Sequence, residues 1–374
     1  MRQSSYFHCP FVLVVWVLSL RSLQRWLPTF AASSRIFVDI FPLSRRQEVI
    51  SPGVTQAPFI TELDRCWKWL SDKGVAKGPE GLIPLNPAEL WKEDSVGCRQ
   101  SAITAHLSNT AVRDFLQASS TPLRDQQRLV SSSANKAGAW LNSIPSSPEL
   151  VINDADFILA VRHRLGLPCA EELPIMCACE KVALADDVSH FHSCQKQKRT
   201  SITARHDFIV RALAKLFRRV GAVVHIEPRI YGSERLRPDL DITFPDQSFM
   251  VDVAVTHPTA PSRQQATPLA AASHVEHTKS AKYNALARRR ATTFLPFVME
   301  SYGAYGAQAE QVLKILSSKA KNSVITLPSG VGSFAEYAAR TLSLALQKGN
   351  ALVARRGATE AWAAVVAQGR RQVG

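Results

Sequence analysis

Two neighbouring segments decide the fold: Arg237-Pro238-Asp239-Leu240-Asp241-Ile242-Thr243-Phe244, and Phe249-Met250-Val251-Asp252-Val253-Ala254-Val255 just after it. In the first, apolar side chains fall at 240, 242 and 244, and carboxylates or Thr243 take the alternate places. In the second, Phe249, Val251, Val253 and Val255 share one face. A period of two marks a β-strand, because successive side chains point to opposite sides of the pleat. Pro245-Asp246-Gln247 between the runs reads as a tight turn. The expected product is a hairpin that holds Asp239 and Asp252 close together on adjacent strands. Carboxylates so placed repel, and a divalent cation between them relieves the repulsion. Spacing alone fits equally well two solvated aspartates on an exposed sheet face.

Working outward, residues 203–219 carry Phe208, Ile209, Ala212, Leu213, Leu216 and Phe217 at steps of three and four, the stripe of an amphipathic helix. Gly221 ends it. Strands are expected at 222–227, 237–244 and 249–256, then a loop with Pro258, Pro261 and Pro268. A basic helix near 273–290 and a strand over 292–300 follow. Helices near 305–320 and 332–347 and an Ala-rich, Arg-bearing tail complete the chain. The order helix, three strands, helix, strand predicts an α/β fold with a mixed sheet. Upstream, residues 56–167 read as short helical pieces between Ser/Pro stretches, and residues 1–55 have no clear period.

The chain has 374 residues, 46% hydrophobic and 20% charged, which are globular values. Its formal charge of +14 and pI of about 9.7 favour polyanionic partners, nucleic acid before anionic membrane. Phe11 to Leu20 is an apolar run too short to span a bilayer. It has the look of a signal-peptide core, but Arg21 and Arg25 follow it directly and the cysteines downstream argue against export.

Of the seven cysteines, Cys9, Cys66, Cys98 and Cys169 are isolated, whereas Cys177, Cys179 and Cys194 crowd together with two histidines. An odd, clustered set does not suit a secreted disulfide framework. Cys177, Cys179, His190 and Cys194 offer three thiolates and an imidazole within 18 residues, the ligand set of a closed structural zinc site. His192 is the alternative fourth ligand. Ala185-Asp186-Asp187-Val188 imitates the paired aspartates of a polymerase but lies between the ligands, and reads as the loop of this finger.

Further pieces accompany these: Ala139-Trp140-Leu141, Arg162-His163-Arg164-Leu165-Gly166-Leu167, Arg205-His206-Asp207, Glu227-Pro228, Lys279-x-x-Lys282-Tyr283 and Pro296-Phe297-Val298-Met299-Glu300. In order and spacing, over residues 135–305, they resemble the C-terminal region of site-specific non-long-terminal-repeat retrotransposon polyproteins. Those end in a Cys-Cys-His-Cys finger and a restriction-enzyme-like endonuclease. The resemblance implies a PD-(D/E)XK restriction-endonuclease-like fold, a mixed four-stranded sheet with flanking helices, preceded by a small zinc-binding finger and a helical N-terminal region. The implied divisions are 1–55, 56–170 (helical), 171–199 (finger), 200–305 (endonuclease) and 306–374 (C-terminal helices).

By that resemblance Asp239 and Asp252 would hold Mg²⁺, with Glu227 and Asp241 assisting, in hydrolysis of a DNA phosphodiester. The motif's lysine is missing: Ala254 stands in its place. The resembling nucleases carry it on the following helix, where Lys279 and Lys282 stand, and the sequence does not choose between them. Arg205, His206 and the basic stretch Lys196, Lys198 and Arg199 are the candidate nucleic-acid contacts. No reverse transcriptase domain is found in the chain. The expectation is a retrotransposon-derived, Mg²⁺-dependent DNA endonuclease with a structural zinc, acting in the nucleus or nucleocytoplasm on DNA, with RNA a second partner. The alternative is a nucleic-acid-binding remnant that keeps the fold and finger without cleavage.

Overall fold

The computed structural model describes residues 100–118, 120–197, 200–228, 236–260 and 269–373, with a few positions between 68 and 75. Phe11–Leu20, Lys198 and Arg199 lie outside these residues. The chain forms two compact units, dividing between Ser119 and Ser120. In the first, α1 (Gln100–Gln117) joins into one helix the two short pieces read around 102–107 and 111–116.

The second unit contains α2 (Leu123–Ser133), α3 (Asp154–Leu165), α4 (Ser201–Arg219), β1 (Val223–Ile226), β2 (Leu240–Thr243), β3 (Ser248–Thr256), α5 (Ala270–Arg289), β4 (Thr293–Glu300), α6 (Ala307–Lys321) and α7 (Phe334–Val373). The finger lies within this unit, between α3 and α4. The sheet order is β1-β2-β3-β4. β1 with β2 and β2 with β3 are antiparallel, and β3 with β4 is parallel. The architecture is therefore mixed α/β, with a four-stranded mixed sheet and flanking helices. A parallel pair needs a crossover, and α5 supplies it. Pro296 is tolerated inside β4 because that strand is at the edge of the sheet.

The alternation in the hairpin has the expected consequence on one face. Leu240, Ile242, Phe249, Val251 and Val253 join Leu213 and Phe217 of α4 and Phe297 of β4 in the main core. The other face departs from expectation. Met250 packs with Tyr283, Leu286 and Ala287 of α5, and Asp252 is only 5% exposed. A sheet with helices on both faces buries its central strands on both sides, so the polar face of the hairpin is covered. β2 is also shorter than the predicted 237–244, and Asp239 sits just before it.

The second correction concerns the C-terminus. The helix expected at 332–347 and the tail behind it are one 40-residue helix, α7. Its long contacts are with α4, α3 and the finger. Two glycines let them approach. A Cβ on Gly349 would lie 2.5 Å from Cγ of Arg205, and one on Gly357 would lie 2.4 Å from the ring of Phe191.

Candidate metal centre and acidic site

The finger is built from tight local turns. Cys177 N–H donates to Val182 at 3.0 Å, and Glu180, at φ 59°, donates back to the Cys177 carbonyl at 2.8 Å. A 3₁₀ turn over His190–His192 then returns the chain, with Cys194 just beyond. Asp187 Oδ1 accepts from the backbone and the hydroxyl of Ser189, so the Asp186-Asp187 pair serves a turn, in line with its reading as a loop.

These turns bring together Cys177, Cys179, His190 and Cys194, whose ligand atoms all lie within 4.8 Å of one another. The Sγ atoms of Cys177 and Cys194 are 3.8 Å apart, and Cys179 Sγ is 3.2 Å from His190 Nε2. Two sulfurs on one tetrahedral zinc, each about 2.3 Å from it, would stand about 3.8 Å apart. The donor set and spacing therefore fit a closed zinc site. The hydrogen bond from Cys177 and the neighbouring His190 pull the Cys194 thiol down, while contact with Cys194 and then Cys179 pushes His190 up to about 9. In a zinc complex all four would be deprotonated.

His192, the alternative ligand, points elsewhere. It is buried and stacks on His163 with ring centroids 3.9 Å apart, and His163 stacks in turn on Tyr302 at 4.4 Å. Burial holds His163 down to about 3 and keeps His192 and His257 neutral as well. Arg205 closes this column. Its Nη1 lies 3.2 Å from His192 Nδ1 and donates to Asn350 Oδ1 at 3.1 Å. At 1% exposure Arg205 is turned into the protein rather than toward a nucleic acid. Its spacing from Ser201 and Ile209 puts all three on one helical face, which is the signal that places it inside. Lys196 is exposed and donates to the Ala178 carbonyl at 3.0 Å, bracing the finger.

Asp239 and Asp252 form the second centre. Leu240 pairs with Val251, so Asp239 and Asp252 are opposed one step further along the ladder. Opposed residues of an antiparallel pair share a face. Asp239 Oδ2 accepts from the Val253 N–H at 2.6 Å and is 3.1 Å from His206 Nε2. Asp252 Oδ2 accepts from the Lys279 ammonium. The bonds from Val253, His206 and Lys279 all fall on an Oδ2, one oxygen of each carboxylate.

Lys279 belongs to the inward stripe of α5: Ala272, Glu276, Tyr283 and Leu286 are buried at steps of three and four around it. Lys282 lies off that stripe; its ammonium sits 4.8 Å from the Tyr283 ring centroid and 3.4 Å from the hydroxyl. Thus the structure brings Lys279, not Lys282, to Asp252. The Tyr283 hydroxyl donates to the Arg237 carbonyl at 2.9 Å, and burial together with Asp252 raises its pKa.

Glu227 is not gathered in. Its N–H donates to the Asp239 carbonyl at 2.8 Å, but its half-exposed carboxylate pairs with Arg237 at 3.1 Å. Asp241 lies opposite His225, and burial raises its pKa. His206, a candidate nucleic-acid contact, bridges Asp239 and Asp207, with Nδ1 3.1 Å from Asp207 Oδ1. Burial opposes its charge, but the bonds and charges of Asp239 and Asp207 prevail and push its pKa up to about 9.

Among the described residues no helix is long and apolar enough to cross a membrane. No model of a known protein family matches the chain. It is similar to the "Retrotransposable element SLACS 132 kDa protein" of Trypanosoma brucei gambiense, at 26% identity over 215 residues. The match covers 54% of this chain but only 17% of that protein, so the chain spans a small part of its relative. It is thus a distant relative of a retrotransposable-element protein, carrying a Cys₃His cluster and a mixed four-stranded sheet.

Proposed function

We propose that the chain is a retrotransposon-derived DNA endonuclease of the PD-(D/E)XK type, dependent on Mg²⁺ and braced by one structural zinc. The observation that carries this reading is the acidic pair: Asp239 and Asp252 oppose each other on one sheet face, with Lys279 bonded to the second. Mg²⁺ favours one or two carboxylates with phosphate oxygens and water over a full protein cage, which suits this donor set. When bound it would polarise a phosphate oxygen and lower the pKa of a water. Asp239 and Asp252 would hold it, and Lys279 would neutralise charge at the scissile phosphate or orient the attacking water. The sheet order, antiparallel twice and then parallel through α5, agrees with that fold type.

Ala254 favours a second reading, a nucleic-acid-binding remnant without cleavage, because the strand lacks the motif's lysine. Lys279 weighs against it by reaching the same carboxylate from α5. Affinity for DNA in either case would come from lysines and arginines on phosphates and would fall steeply with salt. Supercoiled plasmid separates the two readings. Open circles that form in Mg²⁺ but not in EDTA support the endonuclease; plasmid bound yet intact at every Mg²⁺ concentration supports the remnant.

A further inference from the structure

Asp239 is the less enclosed member of the acidic pair, since it sits ahead of β2 rather than within a strand, with its side chain 16% exposed. A carboxylate at a strand end can rotate about two torsions unless something holds it. Two donors converge on the same oxygen. Val253 N–H approaches Oδ2 from β3 at 2.6 Å and His206 Nε2 from α4 at 3.1 Å. His206 is itself held. Its Nδ1 is 3.1 Å from Asp207 Oδ1, and Asp207 Oδ2 lies 3.8 Å from Arg211 Nη2 one turn along the helix. Behind it, buried Arg205 and the close approach at Gly349 fix the start of α4 against α7. Carboxylates that ligate metals are commonly held in place by outer hydrogen bonds, as Asp239 is here by His206 and Val253.

We propose that His206, oriented by Asp207, is a positioning residue for Asp239. Together with Val253 N–H it captures Oδ2 and turns Oδ1 toward the space shared with Asp252. This assigns the Arg205-His206-Asp207 motif a role at the acidic pair instead of on DNA. It rests on the endonuclease reading only in requiring that Asp239 and Asp252 share a divalent ion. A carboxylate held in its liganding rotamer loses less freedom when the cation arrives, so removing the clamp weakens cation binding before it affects the fold.

The test uses the zinc-loaded full chain and Mn²⁺ alone as the probe, with free Mn²⁺ followed by electron paramagnetic resonance. Asp252→Ala defines the background from other sites. Wild type is expected to bind Mn²⁺ above that background. His206→Ala is expected to bind it about 10-fold or more weakly, in the range seen for such supporting residues. His206→Gln, whose amide can still donate to Asp239, recovers most of the loss, while zinc content and a single cooperative thermal unfolding transition are kept in both variants. Wild-type affinity in His206→Ala, no recovery in His206→Gln, or no wild-type binding above background would overturn the proposal. If the expected Mn²⁺ pattern appears but plasmid is never nicked, the endonuclease reading fails while the positioning role stands.

Discussion

The Lys279 ammonium donates to Oδ2 of Asp252 across the boundary between α5 and β3, where α5 covers the sheet face that carries the acidic pair. Under the endonuclease proposal, a lysine delivered from the crossover helix would stand in for the motif's lysine, whose position on the strand is occupied by Ala254.

That relationship separates the two lysines. Lys279→Ala is expected to lower the nicking rate by about 10²-fold or more, the usual loss when a charge-stabilising donor is removed. Lys282→Ala, which removes a cation resting on Tyr283, should change it by only a few-fold. Rates on supercoiled plasmid at saturating Mg²⁺ measure both. Equal losses would mean that the contact with Asp252 has no part in the reaction.

The cluster of Cys177, Cys179, His190 and Cys194 is expected to bind close to one zinc per chain, read by elemental analysis. Cys177→Ser and Cys194→Ser should lower that content and melt earlier. The hydrophobic cluster around them is small, Leu184 and Phe191 against Val353 and Ala361 of α7, so a bound zinc would contribute much of the local stability. Zinc should be released as pH falls, because protons compete for thiolates and imidazole. Stoichiometry near zero in protein purified without chelator would contradict the assignment.

Gly349→Ala and Gly357→Ala invert an ordinary expectation. Glycine to alanine inside a helix normally stabilises by about 0.5–1 kcal/mol. Here the added methyl meets Arg205 or Phe191 at under 3 Å, so each substitution should destabilise by about 1–3 kcal/mol. Urea unfolding gives the sign directly.

Glu149 supplies an acid-sensitive tie between the 3₁₀ turn it occupies and α7. Its Oε1 accepts from the Tyr337 hydroxyl at 2.5 Å and is 3.1 Å from Lys215 Nζ. Burial works against the carboxylate, but these partners prevail and hold its pKa at about 2, against 4.5 ordinarily. A folded pKa below the unfolded one stabilises above the unfolded value and is lost as pH falls through the folded one. Glu149→Gln should therefore cost on the order of 2 kcal/mol at neutral pH. The gap between the variant and wild type should close between about pH 4.5 and 2.

Much of this was legible in the sequence where one period dominates. Alternation at 240–244 and 249–255 placed both strands, and the stripe of 208–217 placed α4. The grouping of Cys177, Cys179 and Cys194 with a histidine was legible from spacing, but the choice of His190 over His192 closes only when His192 is seen stacked on His163. Failures came where two signals compete. α7 is Ala-rich and apolar on several sides, so the expected helix stopped at 347 and left the rest as a tail, whereas Gly349 and Gly357 sit inside one helix and permit close packing. The choice between Lys279 and Lys282 was open because residues three apart lie on neighbouring faces. It closes on seeing Lys279 in step with Ala272, Glu276 and Tyr283. Arg205 carried the same signal in its step to Ile209, masked by the habit of reading arginine as a surface residue. Nothing in the sequence joins His206 to Asp239, because that contact exists only once α4 is packed beside β2.

The most direct test of the shared divalent ion compares Mg²⁺-dependent nicking by wild type, Asp239→Ala and Asp252→Ala, all matched for zinc content. Both variants are expected to lose at least about 10³-fold in rate, leaving DNA retention unchanged. Nicking by either variant at the wild-type rate would contradict the account.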